Sequence, residues 1–486
     1  MASKTGKIKL MVKQDADTIC AIATATGRAG IGIIRLSGPN ALAVGQQITG
    51  ITPKPRTATC ADMRGAGSQL IDNGIIIFFK SPHSFTGEDV VELQVHGGQN
   101  VLISLLNQCV ALGTRLAEPG EFSERAFLNG KIDLLQAEAI ADLIDASSSQ
   151  AARSAIRTLK GVFSEKIQTL VQDIIRIRVN VEAAIDFSDE NIDVLTETSV
   201  AEQLKAANMH LTEVFHEANR GLVIKDGITV VLAGAPNAGK SSLLNALAGA
   251  DTAIVTDIPG TTRDVIRQEI SLNGLPIHII DTAGLRYTTD IVEQEGVRRA
   301  ISAIKEADLI LLVADSELYS EKDLTPILRT LFPGQTGGDT ANGVNVHVEL
   351  SSLIHRLCVI FNKIDLIDIS RPGLSSTYYQ DHKLKLFRLS AKTAAGIDEL
   401  RDHLVKLADY QVTGEGNFSA RERHLLALSS AQETLSSAIS GVSKHLPLEL
   451  VAEDLRQVQN HLAAITGEVS SDDLLAEIFS NFCVGK

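Results

Sequence analysis

Gly234, Gly239, Lys240 and Ser241 stand in the order Gly-x-x-x-x-Gly-Lys-Ser within ITVVLAGAPNAGKSSLLNALAG. These residue types at this spacing suit the phosphates of a nucleotide. Glycines let backbone N–H groups close around phosphate oxygens, and a helix N-terminus adds positive potential. Lys240 would reach the β- and γ-phosphates, and the Ser241 hydroxyl would bind Mg2+. The apolar run before the motif and the helical pattern after it supply the strand–loop–helix context that it requires.

Further short motifs follow in the order that a GTPase needs. VTDIPGTTRD carries Thr256, Asp257, Ile258, Pro259, Gly260, Thr261 and Thr262, with Thr262 as the switch threonine for Mg2+. DTAG (Asp281, Thr282, Ala283, Gly284) ends an apolar run, so that Asp281 can meet Mg2+ through water and Gly284 can bend toward the γ-phosphate. NKID supplies Asn362, Lys363 and Asp365, and the Asp365 carboxylate would accept the two N–H bonds that guanine offers and adenine does not. SAK (Ser390, Ala391, Lys392) would close over the base, while Asn237, Ala238 and Ser242 complete the phosphate loop. Any one of these is a weak signal; together and in order they specify GTP.

Hydrolysis needs an oriented water. Many GTPases place Gln directly after the Asp-x-x-Gly turn. Here that position is Leu285, which cannot hold water, and YTTDIVEQEG downstream offers Asp290, Glu293 and Glu295 instead. No arginine finger stands out. A monovalent cation held by the Asn237 side chain and by carbonyls of TDIPGTT would replace it, giving hydrolysis that is fast in K+ and slow in Na+. The ordinary alternative is that Asn237 only caps the phosphate-loop turn.

These motifs need a parallel sheet to position them. ITVVLAG, PIHIID, LILLVAD and CVIFNK alternate with helical segments between residues 226 and 412, which predicts an α/β domain with helices on both faces. GQTGGDTANG (335–344), within the long Gly-rich segment 317–356, reads as a solvated insertion. On either side the period is helical. Ile156, Leu159, Phe163, Ile167, Leu170, Ile174, Ile177 and Val181 predict one stripe on a long helix. VAEQLKAANMHLTEVFHEANRG predicts another, ending near Gly221, and Leu455, Val458, Leu462 and Ile465 a third. The economical arrangement is one helical domain, 131–225 and 413–486, split by the inserted GTPase domain. Residues 1–130, with TICAIATATG, GIGIIRLSGP and GIIIFFK, predict an α+β domain.

Composition sets outer bounds. At 486 residues the chain is long enough for about three domains, and with 44% hydrophobic residues, no Trp and 4% aromatics its cores must be mostly Leu, Ile, Val and Ala. A net charge of −14 argues against a general nucleic-acid binder. Cys20, Cys60, Cys109, Cys358 and Cys483 have no Cys-x-x-Cys spacing, so neither a zinc site nor a disulfide framework is suggested, and scattered thiols fit a reducing compartment. MASKTGKIKLMVKQDAD lacks a signal-peptide core and no run of about 18 apolar residues occurs, so the expectation is a cytoplasmic protein with no membrane span.

The tail ITGEVSSDDLLAEIFSNFCVGK places a thiol and a lysine after an amphipathic helix whose Leu474, Leu475, Ile478 and Phe482 can dock it. Together with GRAGIGIIRLSG, SFTGEDVVELQVHGG, EPGEFSERAFLNGKIDLLQAEAIADLIDASS and VTDIPGTTRDV, it makes nearly the whole chain resemble the MnmE (TrmE) family of tRNA-modification GTPases. The resemblance implies a K+-dependent GTPase activated by dimerisation of its GTPase domains. K+ ligands then fall on Asn237, Thr256, Ile258 and Thr261, Mg2+ ligands on Ser241 and Thr262, and a base-like glutamate on Glu293. It implies a homodimer formed by the N-terminal domain. Arg35, Glu92, Lys131 and the terminal Lys486 would bind a tetrahydrofolate derivative (5-formyl or 5,10-methylene), and Cys483 would be the thiol implicated in modification. The implied reaction is made with the partner MnmG, which carries FAD, and builds a carboxymethylaminomethyl or aminomethyl group on C5 of the wobble uridine of certain tRNAs. No flavin fingerprint occurs in this chain, in keeping with FAD on the partner.

The chain departs from the family pattern at Ala235, where relatives often have Arg. Two other readings stand beside this one: a ribosome-assembly switch GTPase without covalent chemistry, and a folate-dependent methyl or aminomethyl transferase that GTP only regulates. The first normally appends a basic RNA-binding module, and none is visible. Each residue also has a plain reading: Arg35 facing solvent, Glu92 paired with a lysine, Lys131 starting a helix in water, Cys483 packed as a small hydrophobe, and His96 hydrogen-bonded in a turn.

Overall fold

The computed structural model describes residues 17–25, 27–186, 197–249, 267–272, 274–281, 302–321, 323–331, 353–367, 372–379, 382–407, 418–469, 471–480 and 482–485. They form two compact units, one from residues 1–141, 159–204 and 434–486, the other from 142–158 and 205–433.

In the first unit six strands form one sheet: β1 (Ile19–Ile22), β2 (Ala29–Ser37), β3 (Thr59–Arg64), β4 (Leu70–Phe79), β5 (Val90–Gly97) and β6 (Arg115–Leu116). Their order is β3-β4-β5-β2-β1-β6, antiparallel except for the β1–β6 pair. Helices α1 (Ala41–Thr49) and α2 (Gln99–Ala111) pack on one face, over Ile34, Leu36, Val91, Leu93 and Val95. Successive strand residues point to opposite faces. Burying Ile34 and Leu36 therefore turns Arg35 to the other face, and burying Val91 and Leu93 does the same for Glu92. The register pairs Arg35 with Glu92 directly. That second face carries Ile19, Ala21, Ala117 and Phe122, with Phe85 packed against them. Phe122 lies in α3 (Glu121–Leu128), which α4 (Leu134–Ile144) follows.

The apolar stripe from Ile156 to Val181 lies on two helices, not one. α5 (Ser149–Leu159) ends and α6 (Val162–Asp186) begins around Gly161, whose φ of +88° breaks the helix. Ile167, Leu170, Ile174, Ile177 and Val181 of α6 are buried, and the helix packs against the helix Leu448–Thr466, which buries Leu455, Val458, Leu462 and Ile465 as its spacing predicts. The last helix, Asp472–Ser480, is docked by Leu475, Ile478, Phe479 and Phe482 against Leu134 and Ala137.

In the second unit seven strands lie in the order β12-β13-β11-β10-β7-β9-β8. They are β7 (Ile228–Ala233), β8 (Arg267–Leu272), β9 (Leu275–Asp281), β10 (Leu309–Asp315), β11 (Leu357–Asn362), β12 (Gly373–Tyr379) and β13 (His382–Arg388). The five central strands are parallel and the two edge strands antiparallel. Every residue of β10 and β11 is buried, as a sheet covered on both faces requires. The segment 317–356 differs from a solvated insertion in its described part: it forms a helix, Thr325–Leu331, and Leu324, Ile327 and Leu328 join one of the two cores. GQTGGDTANG (335–344) lies outside the described residues.

α7 (Glu197–Asp226) does not end at Gly221. A Cβ there would lie 2.0 Å from the Phe418 carbonyl, so the glycine permits a close crossing inside the helix. The helix ends instead before Gly227, with φ +69°. Among the described residues, no helix is long and apolar enough to cross a membrane.

Candidate functional site

β7 delivers the chain to the phosphate-loop motif at the sheet's C-terminal edge. Gly234 has φ +140°, and a Cβ there would sit 2.1 Å from the Val313 carbonyl of neighbouring β10. Gly239 has φ +95°, with room for a Cβ only at 2.2 Å from Asn362 Nδ2. Both positions require glycine. Asn237 takes φ +64°, a left-handed conformation that Asn tolerates better than most residues. α8 (Lys240–Ala248) then opens, with Ala238 buried below and Ser241 and Ser242 exposed. The Lys240 ammonium is folded over the loop, donating to the carbonyls of Gly234 at 2.9 Å and Ala235 at 3.1 Å.

Asn362, at the end of β11, is only 2% exposed and uses both ends of its amide. Nδ2 donates to Ala238 O at 3.0 Å, and Oδ1 accepts from Lys363 N at 2.8 Å and Ala391 N at 3.0 Å. One side chain thus ties three separated motifs. Ser390 Oγ donates to Asp365 Oδ1 at 2.6 Å and accepts from Thr393 N at 3.2 Å, which orients the carboxylate. Lys392 is exposed. The parallel register sets Asp281 opposite Leu232, so the DTAG backbone starts beside the phosphate loop. Thr256, Asp257, Ile258, Pro259, Gly260, Thr261, Thr262, Thr282, Ala283, Gly284, Glu293 and Lys486 lie outside the described residues.

The first unit carries a second constellation. Glu92 Oε1 accepts from Arg35 Nε at 3.0 Å and Nη2 at 2.9 Å, and Arg35 Nη1 reaches the Gly485 carbonyl at 3.4 Å. The guanidinium lies 5.9 Å from the ring centres of both Phe85 and Phe122. The tail is seated rather than frayed. Val484 bridges to Pro119, Gly120 N donates to Cys483 O at 3.4 Å, and Gly485 has φ +93°, where a Cβ would lie 2.5 Å from the Ile22 carbonyl. Lys131 Nζ donates to the Pro82 carbonyl at 2.9 Å. Behind this face, Arg125 and Arg115 hold Glu121 and Asp17. Burial works to raise both carboxyls, but the two guanidiniums outweigh it and hold them below the usual carboxylate range.

Cysteine environments separate the thiols. Burial pushes Cys20, Cys109 and Cys358 up, the last to about 11, so they stay protonated at neutral pH. Cys60 and Cys483 are exposed, so Cys483 is not a packed hydrophobe. His96 lies on β5 rather than in a turn, with Nδ1 bonded to Asp72 Oδ1 at 2.9 Å. Sequence reasoning missed the Gly485 carbonyl and the Phe85 and Phe122 rings beside Arg35. It also missed Asp315 and Ser316 beside Asn362; the Asp that closes LILLVAD was the available signal. Among the described residues, no group of three His, Cys, Asp or Glu is placed to hold a metal.

Comparison with known proteins agrees across nearly the full length. The model of the GTP-binding protein TrmE N-terminus matches residues 18–131, and that of the MnmE helical domain matches residues 134–483. A tRNA modification GTPase MnmE from Saccharophagus degradans is 50% identical over 481 residues, 98% of this chain and all of its own length. Those of Coxiella burnetii and Pasteurella multocida are 49% and 50% identical, each over 97% of this chain. Among solved structures, the G domain of the T. maritima FeoB iron transporter aligns with 37% of this chain and 98% of its own at 26% identity. Its TM-score of 0.25 is too low to add to the fold read from the sheet. With one family model spanning most of the chain and relatives half identical end to end, the chain belongs to the MnmE family of tRNA-modification GTPases.

Proposed function

We propose that this chain is a K+-dependent GTPase that, with MnmG, installs a carboxymethylaminomethyl or aminomethyl group on C5 of the wobble uridine of certain tRNAs. The observation that carries the reading is the seated tail: the chain that bears Cys483 is held at the Arg35–Glu92 pair by the Gly485 carbonyl. A flat, anionic ligand suits that set. Arg35 offers a cation, Glu92 an acceptor for ring N–H groups, and Phe85 a half-buried phenyl ring, while the fully buried Phe122 backs the guanidinium from the core. A tetrahydrofolate one-carbon donor has this chemistry, and Lys131 and Lys486 complete its proposed contacts.

At the other site, the backbone of Asn237–Ser242 cradles phosphates, with Lys240 exchanging its loop carbonyls for phosphate oxygens. Asp365, oriented by Ser390, accepts the guanine N–H groups. Mg2+, held by Ser241 and Thr262, would neutralise charge on the leaving phosphate; K+, held by Asn237, Thr256, Ile258 and Thr261, would take the place of an arginine finger. Glu293 orients the water that Leu285 cannot. Dimerisation of the GTPase domains completes this arrangement, and the N-terminal domains form the constitutive homodimer. The domain limits proposed are 1–130, 131–225, 226–412 and 413–486.

The test is a mass-spectrometric nucleoside profile of total tRNA from cells lacking the gene. Loss of 5-carboxymethylaminomethyl-type uridines, restored by the wild-type gene, is the expected result. An unchanged profile would leave the switch-GTPase reading in its place.

A further inference from the structure

Lys363 is not a glycine, yet it takes φ +66° between the buried Asn362 and the short helical turn Ile364–Leu366. Something must hold it there. Its Nζ donates to Asp315 Oδ2 at 2.7 Å, and Asp315 is 7% exposed. The other oxygen, Oδ1, accepts from Glu317 N at 3.0 Å, so both ends of the carboxylate are engaged. The adjacent Ser316 donates to the Asn362 carbonyl twice, from N at 3.0 Å and from Oγ at 2.6 Å. The register of β10 and β11 places Asp315 directly opposite Asn362. Asp315, the last residue of β10, and Ser316 just after it therefore fix the side chain of the left-handed residue and the peptide carbonyl before it. The two Ser316 bonds fix the peptide that enters Lys363, and the Asp315 carboxylate tethers the side chain that leaves it. Asn362 Oδ1 and Asp365, on either side of that residue, keep the directions described above.

We propose that Asp315, acting with Ser316, is a positioning residue for guanine-nucleotide binding: it locks the Asn362–Asp365 turn in its binding geometry before nucleotide arrives. The proposal rests on the reading of that turn as the base site. Asp315 touches no nucleotide in this scheme. It acts through Lys363, and removing it lets the turn sample other conformations, so that binding must first select the competent one.

The test compares Asp315→Asn, Asp315→Glu and Asp365→Asn in the full-length protein, using fluorescent GDP titration, steady-state GTP hydrolysis and thermal unfolding without nucleotide. Asp315→Asn keeps an acceptor for Glu317 N and loses the charge on Lys363. GDP affinity is expected to fall about tenfold and KM for GTP to rise in step, with kcat within about twofold and the nucleotide-free unfolding temperature lowered by no more than about 4 °C, the shift a tenfold bias allows. Asp315→Glu is expected to recover part of the affinity. Wild-type GDP affinity in Asp315→Asn overturns the proposal. So does an affinity loss accompanied by a larger fall in unfolding temperature, which would make Asp315 a residue of the fold. Asp365→Asn separates the two claims: if it too leaves GDP affinity unchanged, the base-site reading itself fails; if it weakens GDP while Asp315→Asn does not, only the brace fails.

Discussion

Asn362 Nδ2 donates to the carbonyl of Ala238 at 3.0 Å, joining two residues 124 positions apart in the chain. The same amide takes the N–H groups of Lys363 and Ala391. Asn362→Ala leaves the buried Ala238 carbonyl and the half-buried N–H groups of Lys363 and Ala391 without this partner, at up to about 1–3 kcal/mol each. GTP affinity is expected to fall at least about tenfold, about 1.4 kcal/mol, measured by equilibrium titration. Wild-type affinity would show that the three motifs are held by other means.

Gly485 sits at φ +93° with room for a Cβ only 2.5 Å from the Ile22 carbonyl. Gly485→Ala must therefore unseat the tail and its contact with Arg35. Faster deuterium exchange is expected at Gly120 N, which is bonded to the Cys483 carbonyl. Wobble-uridine modification should drop about tenfold or more, while GTP hydrolysis stays intact.

Helix propensity alone predicts that Gly221→Ala stabilises α7, by up to about 1 kcal/mol. The crossing predicts the reverse, because the added carbon would lie 2.0 Å from Phe418 O. A loss of about 1–3 kcal/mol is expected for such overpacking, read by urea unfolding. A gain in stability would contradict the crossing.

The charge network of the first unit gives an acid limb to stability. Glu121, though buried, is held below its ordinary value of 4.5 by Arg115, the Glu118 backbone N–H and Arg125. A carboxyl depressed by folding contributes stability above its unfolded value, and that contribution is lost as pH falls through the folded one. Stability should thus decline from about pH 4.5 downward. Glu121→Gln should cost on the order of 2 kcal/mol at pH 7, as for hydrogen bonds to charged groups, and flatten the slope below pH 4.5. Denaturant midpoints across pH check both.

The phosphate loop, the parallel sheet and the docking of the last helix were legible because each has a periodic or spaced signal: Gly234 to Ser241, four apolar runs, and Leu475, Ile478 and Phe482 one turn apart. The rest depended on contacts that one local pattern cannot carry. Gly161 and Gly221 look alike in sequence, yet one breaks a helix and the other admits a crossing strand of chain from residue 418. Leu324, Ile327 and Leu328 lie beside a Gly-rich stretch that disguised their place in a core. The Arg35–Glu92 pair needs a register between strands 57 residues apart. Asp315 acts only through a backbone torsion at Lys363 that composition does not reveal.

On the function proposed above, one chain carries two separable activities, GTP hydrolysis and a modification step at the seated tail. Cys483→Ser separates the two, since the thiol is exposed and its loss should leave the fold unchanged. The variant, expressed in cells lacking the gene, is scored by tRNA nucleoside mass spectrometry, and the purified protein by GTP turnover in K+. Turnover within about twofold of wild type with no modified wobble uridine is the predicted result. Wild-type levels of modified uridine would contradict it and leave Cys483 without a part in the reaction.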